Sequence, residues 1–228
     1  MILKPTLRWY VLIPLVINLI VFSGMLYGAY HQMNIWITQL ISWLPGWLGF
    51  LEFLLWPFFT FVIIGMVFFT FTIIGNFIAA PFNALLAEKV QTLEGASLPN
   101  QGLKDLLFII PASIGRECRK ILYYLPRALI LLLISFIPFI NLAAPILWFI
   151  FNGWMMAIQY CDYAADNRKI SFTDMLTDLK RNTTQVWLLG IIISLAMLIP
   201  LLNLLIIPVG VVSASLFWER NIAQIQGL

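Results

Sequence analysis

Four uncharged apolar runs divide the chain, at residues 11–30, 53–87, 128–161 and 186–218, and almost every charged residue falls between them. The first run is about the length of one bilayer crossing. The second is too long for a hydrocarbon core about 30 Å thick, so it predicts a helix that projects beyond the core, with a kink expected at Pro81. Residues 31–52 place Ile37, Leu40, Ile41 and Leu44 at helical spacing among Thr38, Gln39 and Ser42. With Trp36, Trp43 and Trp47 nearby, they predict a short amphipathic helix lying in the membrane interface and ended by Pro45–Gly46.

The last two runs share a device. Residues 137–145 read IPFINLAAP and residues 199–208 read IPLLNLLIIP. Each break divides its run into halves of roughly 10–16 residues, too short to cross. The expected elements are two helical hairpins, over 121–161 and 186–218, that dip into the bilayer and return. Pro138, Asn141, Pro200 and Asn203 mark their tips, where the amides would bond freed backbone groups. The returning halves are expected to start near Pro145 and Pro208. Ordinary helix pairs that cross steeply are the alternative. The repeated break implies an internal duplication.

Between the runs, 88–120 and 162–185 are polar. Gly95 to Gly102 reads as a loop, and Lys104–Arg119 as an amphipathic helix interrupted by Pro111. Ser171 or Thr173 would cap a short helix. Lys and Arg crowd these two segments and the ends, while 31–52 has neither. The asymmetry places both ends and both polar segments in the cytoplasm.

Composition agrees: 62% of the 228 residues are hydrophobic and 10% charged, which no soluble core can cover. The expected fold class is an all-α integral membrane protein, one membrane domain over 1–228. Its first run follows Lys4 and Arg8 as an uncleaved signal anchor. Gly24 and Gly28, four apart, offer a close-packing face. The scattered basic residues carry no nucleic-acid signal. Cys118 and Cys161 suggest no disulfide framework, and His31 alone makes a poor metal site. No catalytic or nucleotide-binding motif is present, so neither an enzyme nor a cofactor is expected. Acidic residues sit only at the edges of the runs, at Glu52, Glu88, Asp162 and Glu219, which weakens a proton-coupled mechanism.

Two polar constellations stand out. In 75–90, Asn76, Ala80, Asn83 and Ala87 share one helical face that ends at Glu88 and Lys89. They can line a polar path or pack a helix. In 116–128, Arg116, Glu117, Lys120 and Arg127 precede the first broken run. Arginine's fork suits a tetrahedral oxyanion, and the same residues suit snorkelling and anionic-lipid contact.

The stretches GNFIAAPFNALLAEKV, YYLPRALILLLISFIPFINLAAPILWFIFNGWMMAIQYCDY and IPLLNLLIIPV resemble the CysZ-type bacterial sulfate permeases, over about Arg8 to Glu219. The resemblance implies a multi-pass inner-membrane protein that admits sulfate, with sulfite a further candidate, for cysteine biosynthesis. It also implies two long transmembrane helices, partly inserted hairpins and a homo-oligomer. Many relatives carry a basic pair before the first helix. Here Arg8 is followed by Trp9, so an anion site there rests on Arg8 and backbone N–H groups. The rival expectation is a non-transporting scaffold that binds anionic lipid or a partner protein through its basic cytoplasmic loops.

Overall fold

The computed structural model describes residues 5–43, 45–46, 51–98, 106–198 and 203–223. The described secondary structure is all helical. It runs α1 (Pro5–Ser42), α2 (Leu51–Leu93), α3 (Leu106–Ser135), a 3-10 turn (Ile140–Leu142), α4 (Ala144–Asn167), α5 (Phe172–Arg181), α6 (Thr183–Met197) and α7 (Asn203–Trp218), with a π-helical turn at Glu219–Ala223. Where the sequence reads as one domain, the structure divides into two compact units. One holds residues 13–79, the other residues 1–12 and 80–228. Pro14 and Pro81 each lie within two residues of a division between them.

The 13–79 unit is an antiparallel helix pair. Asn18 lies beside Gly75, Phe22 stacks on Phe71 with ring centroids 4.7 Å apart, and the Thr60 hydroxyl approaches the Met33 sulfur at 3.7 Å. The partners run in opposite order along α1 and α2. Both helices are apolar over 36 and 41 residues, long enough to cross a membrane. The separate interfacial helix expected at 31–52 is instead the continuation of α1, unbroken to Ser42. Its polar side chains do not end the helix because they bond back to it. Thr38 donates to the Asn34 carbonyl at 2.8 Å and Ser42 to that of Gln39 at 2.7 Å. Meanwhile Met33 and Ile37 are buried. Leu44 and Trp47 lie outside the described residues. The Gly24–Gly28 face has nothing within 4 Å of either glycine.

In the larger unit α4 is central, and α3, α5, α6 and α7 all pack on it. Its closest approach is to α6. A Cβ on Gly190 would stand 1.8 Å from the Gly153 carbonyl oxygen and 3.2 Å from the Ala157 methyl. Small residues on both helices therefore let backbone meet backbone. The close packing expected of Gly24 and Gly28 belongs to this pair.

Helix α3 passes through both Pro111 and Pro126, so Pro111 does not interrupt it. Pro138 and Asn141 lie in the irregular segment between α3 and α4, and Pro145 opens α4 as expected. Asn141 does not bond the freed backbone groups. Its side chain is exposed, and the turn closes through backbone bonds, Asn141 N–H to Ile137 at 3.0 Å and Ala143 N–H to Ile140 at 2.9 Å. At the second break Pro200 lies outside the described residues. Asn203 is the first residue of α7, so Pro208 sits inside that helix and not at its start.

Three helix ends show their local causes. After α2, Gly95 takes φ 98° while the Gly95 and Ala96 N–H groups bond the Thr92 and Gln91 carbonyls, a Schellman closure. After α4 the same closure recurs with Lys169 at φ 60°. Ser171 caps α5 by accepting from the Asp174 N–H at 3.1 Å. A left-handed lysine carries a steric cost that glycine lacks. Lys169→Gly is therefore expected to stabilise the protein by about 1 kcal/mol, raising its melting temperature in detergent by roughly 2–4 °C. A fall would show that the Lys169 side chain matters more than its backbone.

Candidate functional site

The larger unit buries charge. Helix α3 presents Ser113, Arg116, Glu117 and Lys120 on one inward face, because positions three and four apart coincide there. Helix α4 answers with Gln159, Asp162, Tyr163 and Asp166 at the same spacing. Arg116 reaches Asp162 at 2.6 Å and Asp166 at 3.6 Å, and donates to the Ile170 carbonyl at 3.1 Å. Lys120 lies 2.6 Å from Glu117, 3.5 Å from Asp162 and 4.5 Å from the centre of the Tyr163 ring. The Tyr163 hydroxyl donates to Glu117 at 2.9 Å and accepts from Gln159 at 3.1 Å and Asn83 at 3.5 Å.

The sign of this cluster matters. Two cations, Arg116 and Lys120, face three carboxylates, Glu117, Asp162 and Asp166. The cations are engaged, so the cluster is not a vacant anion hole. Asp162 lies in the last two turns of α4. Burial pushes its carboxyl up from the ordinary range, against the pull of Lys120 and Arg116.

A second network ties three helix ends together. Glu219 accepts from Arg168 through both carboxylate oxygens, one of them at 2.9 Å, and from Gln91 at 2.6 Å. Gln91 also donates to the Ala164 carbonyl at 3.0 Å, and Asn167 donates to Gln91 and to the Ala84 carbonyl, both at 3.0 Å. Outside it, Arg220 pairs with Glu94 at 2.8 Å. That pair holds the Glu94 carboxyl below its usual range through the Arg220 hydrogen bond.

Of the residues singled out from sequence, Arg116, Glu117, Lys120 and Asn83 come together. Glu88 is buried on α2, 3.7 Å from Lys89. The other three stand apart. Asn76 belongs to the 13–79 unit and is exposed, whereas Asn83 is buried in the other unit. Arg8 is exposed on α1. Arg127 is exposed, and its guanidinium folds back over Tyr123 at 3.5 Å from the ring centre. Sequence reasoning missed Asp162, Tyr163 and Gln159 as partners, although they lie in the quoted AIQYCDY stretch. It placed Asp162 at the edge of a run, where the structure finds it buried. It missed Gln91, Asn167 and Arg168 altogether. Cys161 is buried and Cys118 exposed, and the described residues hold no group of side chains fit for a metal ion.

Comparison with known proteins agrees over most of the chain. Residues 1–208 match the family described as Sulfate transporter CysZ/Etoposide-induced protein 2.4. The chain is 46% identical over 223 residues to the protein named Sulfate transporter CysZ of Pseudomonas fluorescens (strain Pf0-1), covering 97% of this chain and 89% of that one. It is 45% identical over 223 residues to the like-named protein of Pseudomonas aeruginosa PAO1, covering 97% and 91%. To that of Pectobacterium atrosepticum it is 43% identical over 216 residues, covering 94% and 78%.

Proposed function

Because the chain belongs to the Sulfate transporter CysZ/Etoposide-induced protein 2.4 family, we propose that it is a sulfate permease of the bacterial inner membrane, feeding cysteine biosynthesis, with sulfate as its substrate and no ATP site. The observation that carries this reading is the buried cluster of Arg116, Glu117, Lys120 and Asp162 in an otherwise apolar helical protein. Charges in such a setting are costly and mark a path for ions.

Sulfate enters this site by exchange. The guanidinium of Arg116 and the ammonium of Lys120 release carboxylate oxygens and take sulfate oxygens, which offer the same fork geometry. The amides of Asn83 and Gln159 supply further donors. Protonation of Asp162 favours that exchange, since it leaves two cations against two carboxylates. Uptake is therefore expected to rise as pH falls, the sign that a raised carboxyl requires. The hairpins dip without crossing. In the second hairpin α6 has 15 residues and α7 has 16, or about 22–24 Å each, short of a core about 30 Å thick. The exposed turn between α3 and α4, with Phe139 88% accessible, is covered by a second copy in a homo-oligomer, since irregular backbone is not left bare in lipid.

Labelled-sulfate uptake by the purified protein in liposomes tests the reading. Arg116→Lys keeps the charge and removes the fork. It is expected to cut uptake by roughly tenfold or more, the weight of a charge-assisted hydrogen bond, while the melting temperature shows the protein still folded. No flux in the unmodified protein at any pH would end the sulfate reading. Flux indifferent to Arg116→Lys would remove the cluster from it.

A further inference from the structure

Arg127 is the one charged residue between Ile121 and Ser135. Leu122, Leu125, Leu129, Ile130 and Leu133 in the same stretch are all exposed, so this part of α3 is the kind that meets acyl chains. The guanidinium is nevertheless held. Its Nη1 donates to the Tyr123 carbonyl at 2.7 Å, and its Cζ lies 3.5 Å from the centre of the Tyr123 ring. Tyr123 is fixed in turn by an edge contact with Phe172, ring centroids 5.8 Å apart. One carbonyl and one ring face occupy a small part of a group with five N–H donors. No carboxylate among the described residues pairs with it.

A guanidinium anchored by stacking, with its remaining donors open on an apolar stretch of helix, is suited to an anionic acceptor from outside the protein. Arg119 is also exposed, eight residues earlier. That is about 12 Å along the axis, with Tyr123 midway at four-residue spacing, so the three side chains form one stripe. The stripe runs from the basic middle of α3, Arg116–Lys120, into its apolar C-terminal stretch, the direction in which a phospholipid lies. Bidentate phosphodiester recognition suits arginine. A choline headgroup brings its own cation to compete, whereas an anionic headgroup does not.

We propose that the Arg119–Tyr123–Arg127 stripe of α3 binds the phosphodiester of an anionic phospholipid, with Arg127 as the fork and Tyr123 as the plate that holds it. The site is separate from the buried cluster and does not depend on what that cluster carries. The full-length protein in neutral detergent would be offered phosphatidylglycerol and phosphatidylcholine, and retained lipid counted by native mass spectrometry. The expected result is retention of phosphatidylglycerol over phosphatidylcholine, and a loss of that preference by about five-fold in Arg127→Gln, the weight of one basic side chain at an anionic surface. Arg119→Gln should weaken it too, and Arg127→Lys should keep part of it. A melting temperature unchanged in Arg127→Gln shows intact folding; should that variant unfold, Tyr123→Leu, which removes the plate and keeps the charge, carries the same prediction. Equal retention of the two lipids by the unmodified protein would overturn the proposal. So would displacement of the lipid by sodium sulfate but not by chloride at the same ionic strength, which would mark a site for the free oxyanion.

Discussion

Gly190→Ala is expected to destabilise the protein by at least about 3 kcal/mol, the upper part of the range for overpacking. Its melting temperature in detergent should fall by roughly 6–12 °C. The added methyl carbon would lie 1.8 Å from the Gly153 carbonyl oxygen and 3.2 Å from the Ala157 Cβ. Neither obstacle can swing aside, because one is backbone and the other is the first atom of a side chain. The two helices must separate, and α4 holds the rest of the larger unit together. Gly24→Ala and Gly28→Ala form the contrast. Nothing stands within 4 Å of either position, and alanine favours a helix over glycine by about 0.8–1.0 kcal/mol. These two substitutions should leave stability unchanged or raise it. A tolerated Gly190→Ala would mean that α4 and α6 are not in backbone contact.

Asp162→Ala is expected to cost a similar or larger amount, about 3–5 kcal/mol, as when one partner of a buried ion pair is removed. The carboxylate stands between Arg116, at 2.6 Å, and Lys120, at 3.5 Å, and is almost wholly buried. Without it two cations share Glu117 and a half-exposed Asp166. Replacing Lys120 with methionine as well should recover part of the loss, because the uncompensated charge goes with it. Arg220→Gln also removes one side of an ion pair, with Glu94, yet that pair lies at the surface, where water and salt screen it. Its melting temperature should not move. If Asp162→Ala behaves like Arg220→Gln, the cluster is open to water and screened as the surface pair is.

Apolar runs were enough to read two long helices and a chain made of helices, because hydrophobic length is a local property. The helix break at Pro138 and the start of α4 at Pro145 were legible for a similar reason: proline restricts its own neighbours. The length of α1 was not. Thr38 and Ser42 look like interface polarity in a list of residues, and only their bonds to the preceding turn show that the helix goes on. Pro111 and Pro126 likewise signal an interruption that packing overrides in α3. The site was legible by halves. Arg116, Glu117 and Lys120 are neighbours in sequence, so their common face follows from helical spacing. Their partners lie about 46 residues away on α4, a pairing that only the folded hairpin makes. Arg127 shares a helical face with Arg116, since 11 residues are about three turns, but three turns further along α3 that face is exposed.

The clasp at Glu219 sets an order on how the protein is made. Gln91 and Arg168 wait 128 and 51 residues, respectively, for the carboxylate that both bind. A chain leaves the ribosome from its beginning, at about 5–20 residues per second. Through that interval an amide and a guanidinium stand without their acceptor at the ends of α2 and α4. A chain ending before residue 219 would leave the Arg168 guanidinium without its carboxylate and Gln91 with one acceptor fewer.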